Sequence, residues 1–170
     1  RLKKHDDVVI MDLPGIYSFD TRSAEEELTK DFILNEDYDF LLVVCDATCL
    51  ERGLYLLSQA AGLLEHREEA GPMPQAVLCV NLCDEAEKKG IRIDFKALER
   101  SLGIPVTPCC GRTAKGLLTL KKLLASLAAS CPCACASCSL GSPYRRLPSA
   151  FSPKDLAAQA VTYTKEHYRK

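Results

Sequence analysis

Asp12-Leu13-Pro14-Gly15 is the first run in this chain whose residue types can do chemistry together. It follows four apolar residues at 8–11, which suit a strand covered on both faces. A carboxylate at the carboxyl end of a strand can hold Mg²⁺ through water. A glycine three residues on lets a backbone N–H approach a phosphate closely. Alone, D-x-x-G equally describes a plain strand-to-turn junction. A second run, Asn81-Leu82-Cys83-Asp84, closes another apolar stretch. An Asp there can accept two hydrogen bonds from the N1–H and N2–H₂ edge of guanine. Adenine lacks that pair of donors, so such an acceptor discriminates strongly. Asn81 would brace the loop and touch the purine N7. By itself N-x-x-D also suits an ordinary turn. A third run, Cys110-Gly111-Arg112, offers a backbone N–H to guanine O6. The three together, in this order and each at a strand end, favour the nucleotide reading, because open α/β sheets bind ligands outside the carboxyl ends of their strands.

The elements that must position these runs are legible in the hydrophobic pattern. Ser23 and Glu26 have capping-box spacing, and Glu25, Glu26 and Glu27 suit a first helical turn, which predicts a helix over 23–34. Residues 40–45 read as a second buried strand ending on Asp46, a turn anchor. Leu54, Leu57, Ala61 and Leu64 place one apolar face on a helix over 50–66. Residues 75–80 read as a third strand and 85–89 as a short charged helix. Asp94 caps a helix through Leu102, stopped by Gly103. Residues 104–108 read as a fourth strand and 117–129 as an apolar helix. Strand and helix alternate four times, which argues a parallel sheet with helices on both faces.

From Ser130 the composition changes. Cys131, Cys133, Cys135 and Cys138 lie in a low-complexity stretch of small residues and proline. Thiolates suit a soft metal such as Zn²⁺, but C-x-C-x-C-x-x-C is unusual for a structural zinc site, and residues 131–150 read as a linker. Ser152 and Pro153 then begin a final helix, with Leu156, Ala160, Val161 and Tyr163 on its apolar face.

The chain has 170 residues, 47% apolar and 26% charged, enough for one domain with a real core. A net charge of −1 gives no reason to expect nucleic acid as a partner. No apolar run reaches membrane-spanning length. Ten cysteines in a strand–helix pattern read as reduced thiols in a cytosolic setting. His5, His66 and His167 read as solvated, as do Lys88, Lys89, Arg145 and Arg146.

The order of the three runs resembles the G3, G4 and G5 motifs of translation-factor-related GTPases. The wording is more specific: residues 12–18, 44–56 and 84–94, with Gly111-Arg112-Thr113, are similar to the N-terminal G domain of ferrous iron transport protein B. The resemblance spans about residues 6 to 125 and implies a Ras-like P-loop GTPase fold, N-terminally truncated. Residues 1–130 would be the G domain from G3 to G5. Residues 151–170 would be a helix leading toward a membrane domain. The resemblance implies GTP or GDP with Mg²⁺ as ligands. Asp12 and Gly15, with Leu13 and Pro14 between them, would serve Mg²⁺ and the γ-phosphate. Residues 16–27 would be switch II. Asn81 and Asp84, flanking Leu82 and Cys83, would read the base, and Cys110, Gly111 and Arg112 would form the G5 loop. Leu82 stands where small GTPases carry lysine, and Cys110 replaces the usual serine. No catalytic base is identifiable.

For the whole protein the resemblance implies a polytopic inner-membrane Fe²⁺ transporter of bacteria. Its own permease domain would be the partner and Fe²⁺ the transported ion, with the G domain on the cytoplasmic face. The loop G-x-x-x-x-G-K-[ST] does not occur in the chain. Together with the first strand and switch I, it would lie upstream of Arg1. The expectation is therefore a gap in the sheet, or the strand at 8–11 pulled onto the one at 40–45, and weak or absent GTP binding by this chain alone. Two other readings stay open: a GTPase of another pathway, and a remnant that kept the fold and lost the nucleotide.

Overall fold

The structure, a computed structural model, describes residues 9–16, 18–19, 23–67, 74–129, 148 and 151–163. In chain order these form α1 (Ala24–Asn35), β1 (Phe40–Asp46), a 3-10 turn (Ala47–Cys49), α2 (Leu50–Glu65), β2 (Gln75–Asn81), α3 (Cys83–Lys88) and β3 (Ile91–Ile93). Then come α4 (Phe95–Leu102), β4 (Val106–Pro108), α5 (Leu117–Ala129), α6 (Pro153–Ala160) and β5 (Val161–Tyr163).

Three strands make a parallel sheet in the order β1-β2-β4. The central strand β2 is apolar without alternation and is buried from Ala76 to Val80, as a strand covered on both faces must be. Successive side chains point to opposite faces. Ala76, Leu78 and Val80 join Leu54 and Leu57 of α2, Leu98 and Leu102 of α4, and Leu156 of α6. Val77 and Cys79 join Leu120, Leu124 and Leu127 of α5 on the other side. The sheet thus carries helices on both faces, as the alternation predicts. The register pairs Asp46 with Asn81 and Val80 with Pro108, so the loops after all three strands open at one edge.

Local signals match their elements closely. Ser23 Oγ accepts from the Glu26 N–H at 3.2 Å while Glu26 returns a bond to the Ser23 N–H, so α1 begins with a complete capping box. Asp94 and Ser152 cap α4 and α6 with one side-chain bond each, accepting from the Ala97 and Asp155 N–H groups.

Two expectations need correction. Residues 9–11 form no strand: Val9, Ile10 and Met11 are 69%, 53% and 63% exposed. A strand exists only through its ladder. Among the described residues β1 pairs with β2 alone, so this apolar segment is neither in the sheet nor drawn onto β1. The last helix also stops earlier than its apolar face suggests. Val161 and Tyr163 belong to β5, which pairs antiparallel with β3. The Asp94 N–H donates to Ala160 O at 2.8 Å, and α6 lies against α2 and α4. Three-residue strands are too short to show a period, so only the pairing reveals them.

Candidate functional site

The loop after β2 turns on Leu82, which takes a left-handed backbone with φ 61° and ψ 31°. A side chain with a Cβ adopts that region uncommonly, and such positions cluster at functional loops. The reversal starts α3 at Cys83, two residues earlier than the charge pattern suggests, and puts Asp84 and Glu85 in its first turn. The loop after β4 is tied to it through the backbone. The Cys109 N–H donates to Val80 O at 2.8 Å, and the Cys83 N–H donates to Cys109 O at 3.3 Å. An isolated bridge between Cys110 and Lys115 closes the second loop. Gly116 follows at φ +83°, where an added Cβ would lie 2.2 Å from Pro108 O, so glycine is required there.

Side chains then join the two loops. Asn81 Oδ1 accepts from the Gly111 N–H at 3.0 Å. Arg112 Nη2 donates to Asp84 Oδ2 at 2.5 Å and to Glu85 Oε1 at 3.1 Å. Asp84 Oδ1 is buried and accepts no hydrogen bond among the described residues. Hydrogen bonding from the Cys110 thiol, and then from the Arg112 guanidinium, holds Asp84 down to about 2. An ionised carboxylate with one oxygen unfilled is an acceptor poised for a donor. Cys110 is buried, and the Cys83 thiol donates to Val80 O at 3.2 Å, so both sulfurs line the loop from within.

The D-x-x-G run stands apart. Asp12 and Gly15 are exposed and Leu13 and Pro14 half-buried, and none of the four bonds to either loop among the described residues. Its downstream end does reach the same edge: Ile16 lines a cleft of about 380 Å³ with Val44, Asp46, Asn81 and Leu82. Further on, the Phe19 N–H donates to Gln59 Oε1 of α2 at 2.9 Å. Asp46 is a turn anchor, accepting from the Thr48 N–H at 2.7 Å.

Glu85 is the residue that sequence reasoning missed. Its part emerges only when the register sets the two loops side by side, although an acidic pair opposite an arginine was a usable signal. Among the described residues six cysteines are free thiols: Cys45, Cys49, Cys79, Cys83, Cys109 and Cys110. Burial pushes Cys45 up to about 12, which makes it a packing group rather than a nucleophile. Among the described residues no cluster of three His, Cys, Asp or Glu is placed to hold a metal ion, and no helix is long and apolar enough to cross a membrane. Cys131, Cys133, Cys135 and Cys138 lie outside the described residues, as do His5, His167, Arg145 and Arg146.

Residues 1–124 match the sequence profile described as ferrous iron transport protein B. The chain is 36% identical over 123 residues to the Fe(2+) transporter FeoB of Helicobacter pylori, covering 72% of this chain and 18% of that protein. It is 40% identical over 129 residues to a Porphyromonas gingivalis fusion of Fe(2+) transport protein A with FeoB, covering 74% of the chain and 14% of that protein. The chain therefore spans under a fifth of the length of these relatives. Among solved structures, it is similar to the T. maritima FeoB cytosolic domain in a GMPPNP form, at 34% identity and a TM-score of 0.60 over 70% of this chain and 45% of that one. It is also similar to the FeoB G-domain of Methanococcus jannaschii, at 35% identity and a TM-score of 0.60 over 68% and 69% of the two chains. The parallel sheet with helices on both faces is thus the Ras-like P-loop GTPase fold. With a matching profile over most of its length and the G-domain sheet beneath it, this chain belongs to the ferrous iron transport protein B family.

Proposed function

We propose that this chain carries the guanine-reading part of a GTP- and GDP-binding domain that serves a ferrous iron transporter. The observation that carries the reading is the union of the loops after β2 and β4. There Asn81 holds the Gly111 N–H, and Asp84 keeps an ionised carboxylate with one buried oxygen unfilled. Asp84 accepts the N1–H and N2–H₂ edge of guanine and Asn81 faces N7, whereas the Cys110 and Gly111 N–H groups expected at O6 donate instead to Lys115 O at 2.8 Å and to Asn81 Oδ1 at 3.0 Å. Leu82 and Cys83 shape the turn that aims Asp84, and Arg112 sits at its rim. Relatives support the ligand class: one similar structure is a GMPPNP form, and another is a GDP-bound G-domain of S. thermophilus FeoB.

Mg²⁺ takes one or two carboxylates and otherwise waters and phosphate oxygens. Asp12, exposed and without a bonding partner among the described residues, fits that demand as a donor through water. Gly15, after Leu13 and Pro14, gives its N–H to the γ-phosphate, and residues 16–27 respond as switch II. Mg²⁺ when bound neutralises phosphate charge. The phosphate-cradling loop is not in this sequence, so GTP binding by this chain alone loses its main phosphate contacts, is weak and rests on the base contacts. In the whole protein the domain lies on the cytoplasmic side of the membrane. It couples GTP binding and hydrolysis to Fe²⁺ passage through its own permease domain. Residues 131–150 serve as a linker and 151–170 lead toward that domain.

Nuclear magnetic resonance titration of the chain with guanosine and with adenosine tests the reading. Guanosine is expected to shift the amides of residues 81–84 and 110–112, and adenosine to leave them in place. An equal response to the two nucleosides, or none to guanosine, overturns it.

A further inference from the structure

The carboxylate assigned to guanine already holds a group of the same chemistry. The N1–H and N2–H₂ edge of guanine is a guanidine fragment, two N–H donors on one carbon, and the arginine side chain ends in that same fragment. In this structure Arg112 Nη2 lies on Asp84 Oδ2 at 2.5 Å. Only one nitrogen is used, and the same nitrogen also donates to Glu85 Oε1 at 3.1 Å. Asp84 Oδ1 stays buried and unpartnered among the described residues.

We propose that Arg112 is an internal competitor for the base seat: its guanidinium occupies Asp84 until guanine displaces it, and so sets the affinity and salt dependence of base binding. The inference rests on the guanine reading of Asp84.

Three features make the exchange work. The Arg112 side chain is 63% exposed and that of Asp84 23%, so the ion pair is a surface one, weak and screened by salt. Guanine presents two donors to the carboxylate, whereas Arg112 engages it through Nη2 alone, at Oδ2, which favours the base. Glu85 holds the departing guanidinium, so leaving Asp84 does not strand the charge. The pair acts as a closed state, and apparent affinity falls by the fraction of molecules closed. Arg112 thereby balances the charge of the seat when no nucleotide is present.

The test is guanosine titration of the full chain by nuclear magnetic resonance, comparing the unmodified protein with Arg112→Ala and Arg112→Gln. Circular dichroism checks that each variant folds. Both variants are expected to bind guanosine about two- to fivefold more tightly, the range of an exposed ion pair. Raising salt from about 0.05 M to about 0.5 M should shrink that difference, because the competitor is screened. Unchanged or weaker binding in both variants overturns the competition while leaving the base reading intact. Equal tightening toward adenosine also overturns it, since the seat is then not selective. No guanosine binding by any of the three proteins removes the base reading itself, and the competitor with it.

Discussion

The backbone N–H of Gly111 donates to Asn81 Oδ1 at 3.0 Å, joining the ends of two parallel strands across 30 positions of sequence. With the backbone bonds of Cys109 and Cys83 and the Arg112 contacts, it turns two separate strand-end turns into one loop cluster. Asn81→Ala is expected to expose the Gly111 amide to hydrogen exchange and to destabilise the protein by about 1 kcal/mol. Asn81→Asp, which keeps an acceptor at the same place, should retain protection. Native-state exchange of the Gly111 amide reads both outcomes.

Asp84 titrates low, near 2 against an ordinary 3.8, first through the Cys110 thiol and then through Arg112. A lowered folded-state value means a contribution to stability that is full above the ordinary value and lost as pH falls through about 2. The carboxyl carbon of Asp84, followed by nuclear magnetic resonance, should show its midpoint near 2. In Arg112→Ala that midpoint should move up, yet stay below the ordinary value, because the Cys110 contribution survives.

Asp84→Asn changes the hydrogen-bond alphabet of the site. The carboxylate offers two acceptors, and the amide offers one acceptor and one donor. Guanosine binding should weaken by roughly a hundredfold or more. Xanthosine, which carries a carbonyl where guanine carries its amino group, should be tolerated better by the variant than guanosine is. Paired titrations with the two nucleosides give the ratio, and an unchanged preference for guanosine removes Asp84 from base reading.

Two glycines of α2 should respond with opposite sign. A Cβ on Gly53 would sit 2.1 Å from the Cys45 Cβ, where the helix crosses β1. Gly53→Ala must push α2 off the sheet and should cost about 3 kcal/mol. Gly62 has nothing within 4 Å of such a Cβ. Gly62→Ala should stabilise by up to about 1 kcal/mol, since alanine suits a helix better. Urea denaturation of the two variants gives both signs.

Arg67 fastens the end of α2 to the end of α1. Its side chain is 4% exposed, donates to Ile33 O at 3.2 Å and Glu36 O at 2.6 Å, and lies 4.8 Å from the Tyr38 ring centre. Arg67→Met keeps much of the bulk but removes the donor to Glu36 O and leaves Ile33 O with the Tyr38 hydroxyl alone, and should cost about 1–2 kcal/mol. Thermal unfolding should fall by several degrees. The Asp37 pair at 3.6 Å is more exposed and contributes little, so Asp37→Ala should be nearly neutral.

The amino-acid sequence alone determined what depends on near neighbours. The Ser23–Glu26 capping box, the Asp94 and Ser152 caps, and the unbroken apolar run of β2 are local chemistry, and each element forms where that chemistry lies. That Asn81, Asp84 and Gly111 share one edge also followed from the sequence, because the ends of neighbouring parallel strands converge, whereas Asp12 follows no strand among the described residues and stands apart from them. Tertiary structure decided what requires a partner from afar. Residues 9–11 look like a strand but have no ladder among the described residues, so hydrophobic pattern alone could not make them one. The β3–β5 pair joins segments some 70 positions apart through three residues each, too few for any period to show. The Arg112–Asp84 contact exists only because the register of β2 against β4 brings two loops to one edge. Sequence specifies which groups are available, and the packing of the sheet determines which of them meet.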